Sequence, residues 1–318
     1  IMILHSYSKD YIWTRGVNVG LERVLADQSW INVRFYYMET KKKLNESYLR
    51  RTGIAARRAI DSIKPDVLIA IDDNAQKLAA KYYINDPKIK IVFAGINGSI
   101  KPYGYIEAKN VTGILERKPV KAIEEIISLI GSEKYSKGNL RVKFLSDSSS
   151  SANMDAKYLA SKDWSPIIFQ GHVALNTFEE WKTSVRSLSG KTDFLLVGAY
   201  RKLYRDENAR KKHKDFISSK EVGAWTEANS PVPVIGMNVF NTNDGIMISV
   251  GVSPYEQGEV AGNMAIDIIK NGVKPKDIPI KVSEQYLVSM SSLALKKHNI
   301  DVPTIIEAFA KATNNYFK

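Results

Sequence analysis

The chain has 318 residues, 44% of them hydrophobic, so it can form one large core or two of medium size. It contains no cysteine, which excludes disulfides, thiolate metal sites and thiol nucleophiles. Its formal net charge is +12, but basic runs such as Lys41 to Lys43 are not accompanied by a nucleic-acid-binding module, so no nucleic-acid partner is expected.

The sequence contains no run of about 18 apolar residues, so no segment is expected to span a membrane. Its first residues also lack the charged and apolar regions of a signal peptide. Because the chain begins with Ile1 rather than methionine, we expect that an upstream signal peptide or anchor has been removed.

Short runs rich in valine and isoleucine alternate with longer helical stretches in the first part of the chain. This alternation predicts a parallel sheet covered by helices, in a βαβαβαβ lobe. The predicted strands are Met2–His5, Val33–Met38, Val67–Ile71 and Ile89–Ala94. The predicted helices are Thr14–Asp27, Glu46–Ile63 and Asn74–Tyr83.

A second series with the same alternation follows and predicts a second lobe. Its predicted strands are Val142–Ser146, Pro166–Phe169, Phe194–Gly198 and Val232–Gly236. Its predicted helices are Ser151–Ser161, Thr177–Leu188 and Asn208–Ser219. The predicted fold class is therefore α/β, with two doubly wound parallel-sheet lobes.

A lone strand at Ile246–Val250 and a helix at about Tyr255–Lys270 follow the second series. We expect this segment to pack back on the first lobe, with hinge crossings near residues 114–118, 250–254 and 277–281. The expected lobes are residues 1–115 with 252–278, and residues 116–251 with 279–318. A last helix at about Pro303–Asn314 is predicted without an assigned packing partner.

Ligands of open parallel sheets bind outside the carboxyl ends of the strands, where connections diverge and helix N-termini offer free N–H groups. The loops at that edge supply rings for stacking and groups for directional hydrogen bonds. The predicted ligand-binding residues are Ser6, Tyr7, Trp13, Asp72, Asp73, Asn74, Asn97, Ser148, Ser149, Tyr200, Asn238 and Phe240.

Each of these residues also has an ordinary structural explanation. Asp73, Asn74, Ser148 and Ser149 are typical helix caps, and Trp13 could pack against its own helix. The ligand-binding interpretation depends on their convergence at one edge. The serine run at 148–151 additionally predicts an anion site at a helix N-terminus.

Motifs for enzyme chemistry are missing from the sequence: it has no Gly-x-Ser-x-Gly, Walker, Gly-x-Gly-x-x-Gly or His-Glu-x-x-His pattern. His5 lies at the predicted edge, but the sequence offers it no evident acidic partner. We therefore predict no catalytic residue, no metal and no cofactor. The alternative is a metal-dependent phosphoryl-transfer enzyme in which Asp72 and Asp73 hold Mg²⁺.

Several segments, in this order, resemble the substrate-binding proteins of ABC transporters with the type I periplasmic binding fold. They are "KPDVLIAIDDNAQKLA", "IVFAGIN", "KNVTGILE", "FEEWK" and "SPYEQGEVAGNMAIDIIKNGVKPKDIPI", preceded by "HSY" and "YIWT" near the N-terminus. The family includes aromatic amino-acid binding lipoproteins and extracytoplasmic sensor domains.

This resemblance implies ligand capture without turnover, in a cleft between two lobes that close on the solute. It supports Tyr7, Trp13, Asp72, Asp73, Asn74 and Asn97 as cleft residues. It implies an extracytoplasmic monomer that delivers an amino-acid-like solute to the membrane permease of an ABC transporter. The alternative within the family is the sensor domain of a histidine kinase or diguanylate cyclase, fused to a signalling domain.

Overall fold

The structure is a computed structural model that describes residues 1–42, 45–131 and 139–317. Lys43 of the basic run lies outside the described residues. The chain divides into two compact units: Ile1–Arg117 with Ser253–Ser283, and Lys118–Val252 with Glu284–Lys318. The boundaries expected from the sequence lie after residues 115, 251 and 278, and those of the units lie after 117, 252 and 283.

A parallel sheet forms the centre of the first unit. Its strands are β1 (Met2–His5), β2 (Arg34–Tyr37), β3 (Val67–Ile71), β4 (Lys90–Ile96), β5 (Val111–Leu115) and β11 (Lys281–Val282). The strand order is β11-β5-β4-β3-β1-β2, and the pairings are parallel. The short strand β11 pairs with β5, which is why this unit extends to residue 283.

Helices cover both faces of this sheet. They are α1 (Ile12–Leu25), α2 (Glu46–Ile63), α3 (Asp72–Leu78) and α10 (Pro254–Lys270). Successive residues of a strand point to opposite faces. Met2 and Leu4 accordingly pack in one apolar cluster with residues of α2 and α3, whereas Ile3 packs in another with residues of α1 and α10. Burial on both faces explains why β1, β3 and β4 are nearly continuous apolar runs.

Helices α1 and α10 approach closely because glycines line their contact. A Cβ atom added at Gly258 would lie 2.2 Å from the Val17 carbonyl oxygen, and one added at Gly20 would lie 2.1 Å from the Tyr255 carbonyl oxygen. Both distances are far below van der Waals contact, so the backbones could not keep this spacing with alanine at either position.

We expect Gly258→Ala to destabilise the protein by about 1–3 kcal/mol, because overpacking forces the two helices apart. Gly262→Ala on the same helix is the matched control, since its Cβ would meet side-chain atoms and no backbone, namely Val24 at 3.3 Å and Leu21 at 3.8 Å. Alanine's higher helix propensity should there offset the tighter contact. Urea unfolding measures both variants, and equal midpoints for the two would contradict this packing argument.

The second unit contains a mixed sheet. Its strands are β6 (Arg141–Asp147), β7 (Ile168–Leu175), β8 (Phe194–Val197), β9 (Val234–Gly236), β10 (Ile248–Val252), β12 (Tyr286–Ser291) and β13 (Tyr316–Phe317). The strand order is β13-β12-β10-β9-β8-β6-β7. The β10–β12 pair is antiparallel and the other pairs are parallel.

Apolar clusters lie on both faces of this second sheet as well. The helices of the unit are α4 (Val120–Gly131), α5 (Ser150–Ala160), α6 (Phe178–Arg186), α7 (Glu207–Lys211), α8 (Ser219–Asn229), α9 (Phe240–Asn243), α11 (Ser292–Lys297) and α12 (Thr304–Ala312). Helix α12, predicted without a partner, packs through Ile306 and Ala310 on the cluster that also holds α4.

Some predicted elements differ from those observed. The helix predicted at Asn208–Ser219 is wrong, because α7 ends at Lys211 and residues 213 and 215 have positive φ before α8 begins. The strand predicted at Pro166–Phe169 is instead β7, which continues to Leu175 through polar, partly exposed residues. Of the segment expected on the first lobe, only α10 lies in the first unit, since β10 pairs in the second sheet.

Within the described ranges, no helix is both long and apolar enough to cross a membrane.

Candidate functional site

The carboxyl edge of the first sheet collects the loops after β1, β3 and β4. These loops, together with the first turns of α1 and α3, carry the predicted residues Ser6, Tyr7, Trp13, Asp72, Asp73, Asn74 and Asn97. Their side chains serve different purposes: some fix the loops to one another, and others present unpaired polar atoms or aromatic faces.

Ser6 and Asn74 connect the loops. The Ser6 hydroxyl donates to the Ile71 carbonyl at 2.7 Å and accepts from the Ala75 N–H at 2.7 Å. Thr40 donates its hydroxyl to the Ser6 carbonyl at 2.8 Å, and the Asn74 amide donates to the Thr40 hydroxyl at 2.9 Å. Ser6 is fully buried, so its observed role is to join the first loop to the start of α3.

Asp72 has an unusual environment for a carboxylate. It is 4% exposed and has a φ of 66°, a left-handed conformation that is uncommon outside glycine. Burial raises the pKa of Asp72 well above its ordinary value, and the neighbouring Glu116 and Asp73 raise it further. Lys41 and the indole of Trp13 oppose this rise of the pKa.

The side chains of Trp13 and Asp72 each have a buried polar atom that lacks a hydrogen bond within the described residues. The indole N–H of Trp13 lies near the Asp72 carboxyl. Even so, among the described residues neither Trp13 Nε1 nor Asp72 Oδ2 has a hydrogen-bond partner of normal geometry. Buried polar atoms are normally paired, so such atoms at a loop edge indicate a place for a ligand or water.

Asp73 and Asn97 hold the loop after β4. One Asp73 oxygen accepts from the Tyr103 hydroxyl at 2.7 Å, and the other accepts a long hydrogen bond of 3.5 Å from the Asn97 N–H. Arg117 then donates to the carbonyls of Ile96, Asn97, Glu116 and Gly98 at 2.7–2.9 Å. The backbone of this loop is therefore fixed before any ligand binds.

Tyr7 and Tyr11 form an aromatic corner. Their rings are T-shaped, with centroids 5.2 Å apart, and the Lys41 ammonium lies 3.7 Å from the Tyr7 centroid and 3.8 Å from that of Tyr11. Burial raises the pKa of Tyr7, and the negative charges of Asp72, Asp73 and Glu116 add to the rise. Three acidic residues therefore lie near the corner, on a protein of net positive charge.

His5 is part of the core and not of this corner. Its Nε2 lies 2.7 Å from the Asn18 side-chain oxygen, and its ring stacks on Tyr37. Burial lowers the pKa of His5 to about 4, so the ring is neutral at physiological pH.

The metal alternative finds little support in this geometry. Both Asp73 oxygens accept hydrogen bonds, and the raised pKa of Asp72 disfavours the ionised form that a metal requires. Within residues 1–42, 45–131 and 139–317, no group of three or more acidic or histidine side chains could hold a metal ion.

The predicted serine loop lies at the carboxyl edge of the second sheet. The Ser149 hydroxyl caps α5 through the Ala152 N–H at 3.5 Å, and Ser148 donates to the Asn176 side-chain oxygen at 2.6 Å. The Ser149 hydroxyl thus makes the local hydrogen bond of a helix cap, whereas that of Ser148 joins this loop to the residue that follows β7. Their role toward an anion stays a prediction.

The remaining predicted residues of the second unit have different surroundings. Tyr200 is fully buried, donates to Asp244 at 3.1 Å and packs edge-on to Trp181, so its ring faces lie in the core. Asn238 accepts from the Lys118 ammonium at 2.8 Å. Phe240 is partly exposed, and the Arg201 guanidinium lies 4.1 Å from the centroid of its ring.

Sequence reasoning missed four cations near these residues: Lys41, Arg117, Lys118 and Arg201. Lys41 belongs to a basic run, and the signal for its role is its position after β2, at the same carboxyl edge. Arg201 immediately follows Tyr200 in a loop already selected. In the part of the chain that the structure describes, its Nε atom is buried without a hydrogen-bond partner.

Two α/β units joined by repeated chain crossings define the class of this protein: it has the fold of the type I periplasmic binding proteins, and the predicted fold class is confirmed. Residues 216–314 match the family model described as ABC transporter substrate binding protein. The sequence resemblance to that family is thereby confirmed. No curated protein gives a significant sequence match to the chain.

Solved structures of similar fold include a ligand-free, open substrate-binding protein with adhesive properties from Clostridium difficile. It is 17% identical, with a TM-score of 0.69 and 95% of each chain covered. An ABC domain in complex with L-Trp from Streptococcus pneumonia is 15% identical, with a TM-score of 0.64 and 97% of each chain covered.

A carbohydrate transporter solute-binding protein from Agrobacterium Radiobacter, in complex with D-arabinose, is 11% identical, with a TM-score of 0.52 and 97% of each chain covered. At these identities the similarity is one of fold.

Proposed function

We propose that this protein is a non-catalytic receptor that binds a small, amino-acid-like solute outside the cytoplasmic membrane and delivers it, as a monomer, to the permease of an ABC transporter. The observation that carries this proposal is the pair of unsatisfied buried groups, Trp13 Nε1 and Asp72 Oδ2, beside the rings of Tyr7 and Tyr11. The cleft between two closing lobes, expected from the sequence, stays a prediction.

The edge of the first sheet favours a ligand with a cationic and an apolar part. Aromatic rings and carboxylates both attract an ammonium group, whereas a neutral sugar would gain less from them. The unpaired indole N–H additionally offers a donor to a ligand acceptor.

The second unit, taken separately, offers a site for the opposite charge. Arg201 carries a buried, unpartnered Nε within the described residues, and its guanidinium lies over the Phe240 ring. Guanidinium groups bind carboxylates well because their donors match the planar geometry of the anion. Amino-acid-like solutes commonly carry both an ammonium group and a carboxylate group.

The comparisons agree with a receptor and leave the ligand class open. One protein of similar fold holds L-Trp and another holds D-arabinose. The charged groups described above lead us to prefer an amino-acid-like solute over a sugar.

A thermal-shift panel of amino acids, amines, small carboxylates, nucleosides and sugars tests the proposal. We expect at least one zwitterionic or cationic aromatic solute to raise the Tm of the protein, because a ligand that binds only the folded state stabilises it. Trp13→Ala should remove the shift. Trp30→Ala is the matched control, since Trp30 is 46% exposed and bonds only locally to Gln28.

The receptor proposal would be rejected if no solute in the panel stabilised the wild-type protein after tightly bound ligand had been removed. A solute that stabilised wild type and Trp13→Ala equally would leave a receptor but remove this edge from its site.

A further inference from the structure

We propose that Tyr7, Tyr11 and Asp72 form an ammonium subsite whose internal occupant is the side chain of Lys41, and that the ammonium group of the ligand displaces it. This inference deepens the proposed receptor function and depends on it.

The position of Lys41 carries the argument. Its Nζ lies 3.7 Å and 3.8 Å from the centroids of two rings that stand nearly perpendicular to one another, at 71°. A cation within about 6 Å of one ring face is already attracted to it, and here two rings attract the same ammonium. The corner therefore attracts an ammonium group through both rings.

The surroundings of the corner add a second and independent observation. Asp72 is 96% buried, being 4% exposed, and in the described chain its Oδ2 atom lacks a hydrogen-bond partner. Lys41 is close enough to lower the pKa of Asp72, but it does not supply the missing hydrogen bond. A ligand ammonium that reached the same corner could supply it.

A ligand can readily displace the Lys41 side chain from the two rings. It is an exposed residue in a turn, and its ammonium is carried on a flexible four-carbon stem. A cation–π contact of an exposed lysine contributes only about 0.5–1 kcal/mol. A ligand that makes the same ring contacts and also satisfies Asp72 should therefore compete successfully.

An internal competitor has a measurable consequence: it weakens binding of any ligand group that enters the corner, and the rings favour an ammonium over a neutral group there. The probes are phenethylamine, which is protonated at pH 7.5, and 2-phenylethanol, which has a similar shape and no charge. We expect phenethylammonium to bind wild type, and 2-phenylethanol to bind much more weakly.

Lys41→Met keeps most of the apolar stem and removes the ammonium. Calorimetry should show that Lys41→Met binds phenethylammonium about two- to fivefold more tightly than wild type, the factor that corresponds to the lost cation–π contact. Lys42→Met is the matched control, since the Lys42 ammonium pairs with Glu39. It should bind phenethylammonium as wild type does.

A direct readout accompanies the affinities. Reductive ¹³C-dimethylation labels the lysines for NMR, and the Lys41 methyl signal is assigned by its absence in Lys41→Met. The two rings should shift this signal upfield. It should move downfield when phenethylammonium saturates the protein. A Lys41 signal that did not move at saturation would overturn the proposal. So would Lys41→Met binding phenethylammonium no more tightly than wild type does. Wild type that bound 2-phenylethanol as tightly as phenethylammonium, or that did not bind phenethylammonium, would overturn it as well.

The two proposals can fail separately. If the solute panel yields a ligand that requires Trp13 but binds Lys41→Met and wild type equally, the receptor function stands and the displacement of Lys41 is rejected. If no solute binds at all, both are rejected.

Discussion

Asp72→Asn is expected to raise the thermal stability of the ligand-free protein while abolishing the binding of a cationic solute. Asparagine has nearly the same shape, carries no charge and tolerates the left-handed backbone conformation at this position. It thus removes the need to bury an incompletely satisfied carboxylate. The gain in stability at neutral pH should be about 1–3 kcal/mol, because asparagine does not ionise and each unit by which folding raises a carboxyl pKa costs about 1.4 kcal/mol.

The pH dependence gives the sign of this effect. Because the pKa of Asp72 is raised in the folded protein, the unfolded chain ionises first as pH increases. Wild type therefore loses stability relative to Asp72→Asn once the pH exceeds about 4, the ordinary pKa of aspartate. Below that pH both states hold the proton, and the difference between the two proteins should be small.

Thermal unfolding at pH 4 and pH 7.5 measures this difference, with Asp27→Asn as the control at an exposed position of the first unit. A stability difference that did not grow with pH would show that folding does not raise the pKa of Asp72. Undiminished binding of a cationic solute by Asp72→Asn would remove Asp72 from the site.

Arg117→Met is expected to destabilise the protein by about 2–4 kcal/mol. The guanidinium donates to four backbone carbonyls, three of them in the consecutive residues 96–98 at the end of β4 and directly after it. Methionine preserves part of the stem but leaves these partly buried acceptors without their donors. The effect should be concentrated in the loop that carries Asn97, so amide exchange there should increase more than in β3.

Arg117→Lys is an informative second variant, because an ammonium has three donors on one atom and cannot reach carbonyls on both sides as a planar guanidinium does. It should recover only part of the lost stability. Arg34→Met at an exposed position controls for the general effect of removing an arginine. Chemical unfolding curves for Arg117→Met and Arg34→Met that coincided would contradict the structural role of Arg117.

The fold was largely predictable from the sequence because its strands are buried on both faces. β1, β3 and β4 are short apolar runs between amphipathic helices, and such runs predict buried parallel strands. β7 was predicted too short because its later residues, such as Gln170 and His172, are polar at a partly exposed edge. The helix predicted at 208–219 failed because periodicity does not reveal left-handed residues such as Asp215.

The site was predictable in position but not in detail. The rule that ligands lie at the carboxyl ends of parallel strands selected the loops of Tyr7, Trp13 and Asp72 without any structure. It could not show that Ser6 is a buried connector or that Tyr200 faces the core, because side-chain direction within a loop depends on tertiary packing. It also could not pair Lys41 with rings thirty residues away in the chain.

The close packing of α1 against α10 has a consequence for biosynthesis. Residues 1–117 leave the ribosome long before α10 and β11, and until α10 arrives the apolar groups of Ile3, Val17 and Leu21 lack part of their final cover. The second unit also receives β12 and its last helices only after residue 284. Neither unit can therefore be completed during synthesis of its own first segment. The nascent protein should expose apolar surface until these later segments have been synthesised, and each unit should become resistant to protease only then.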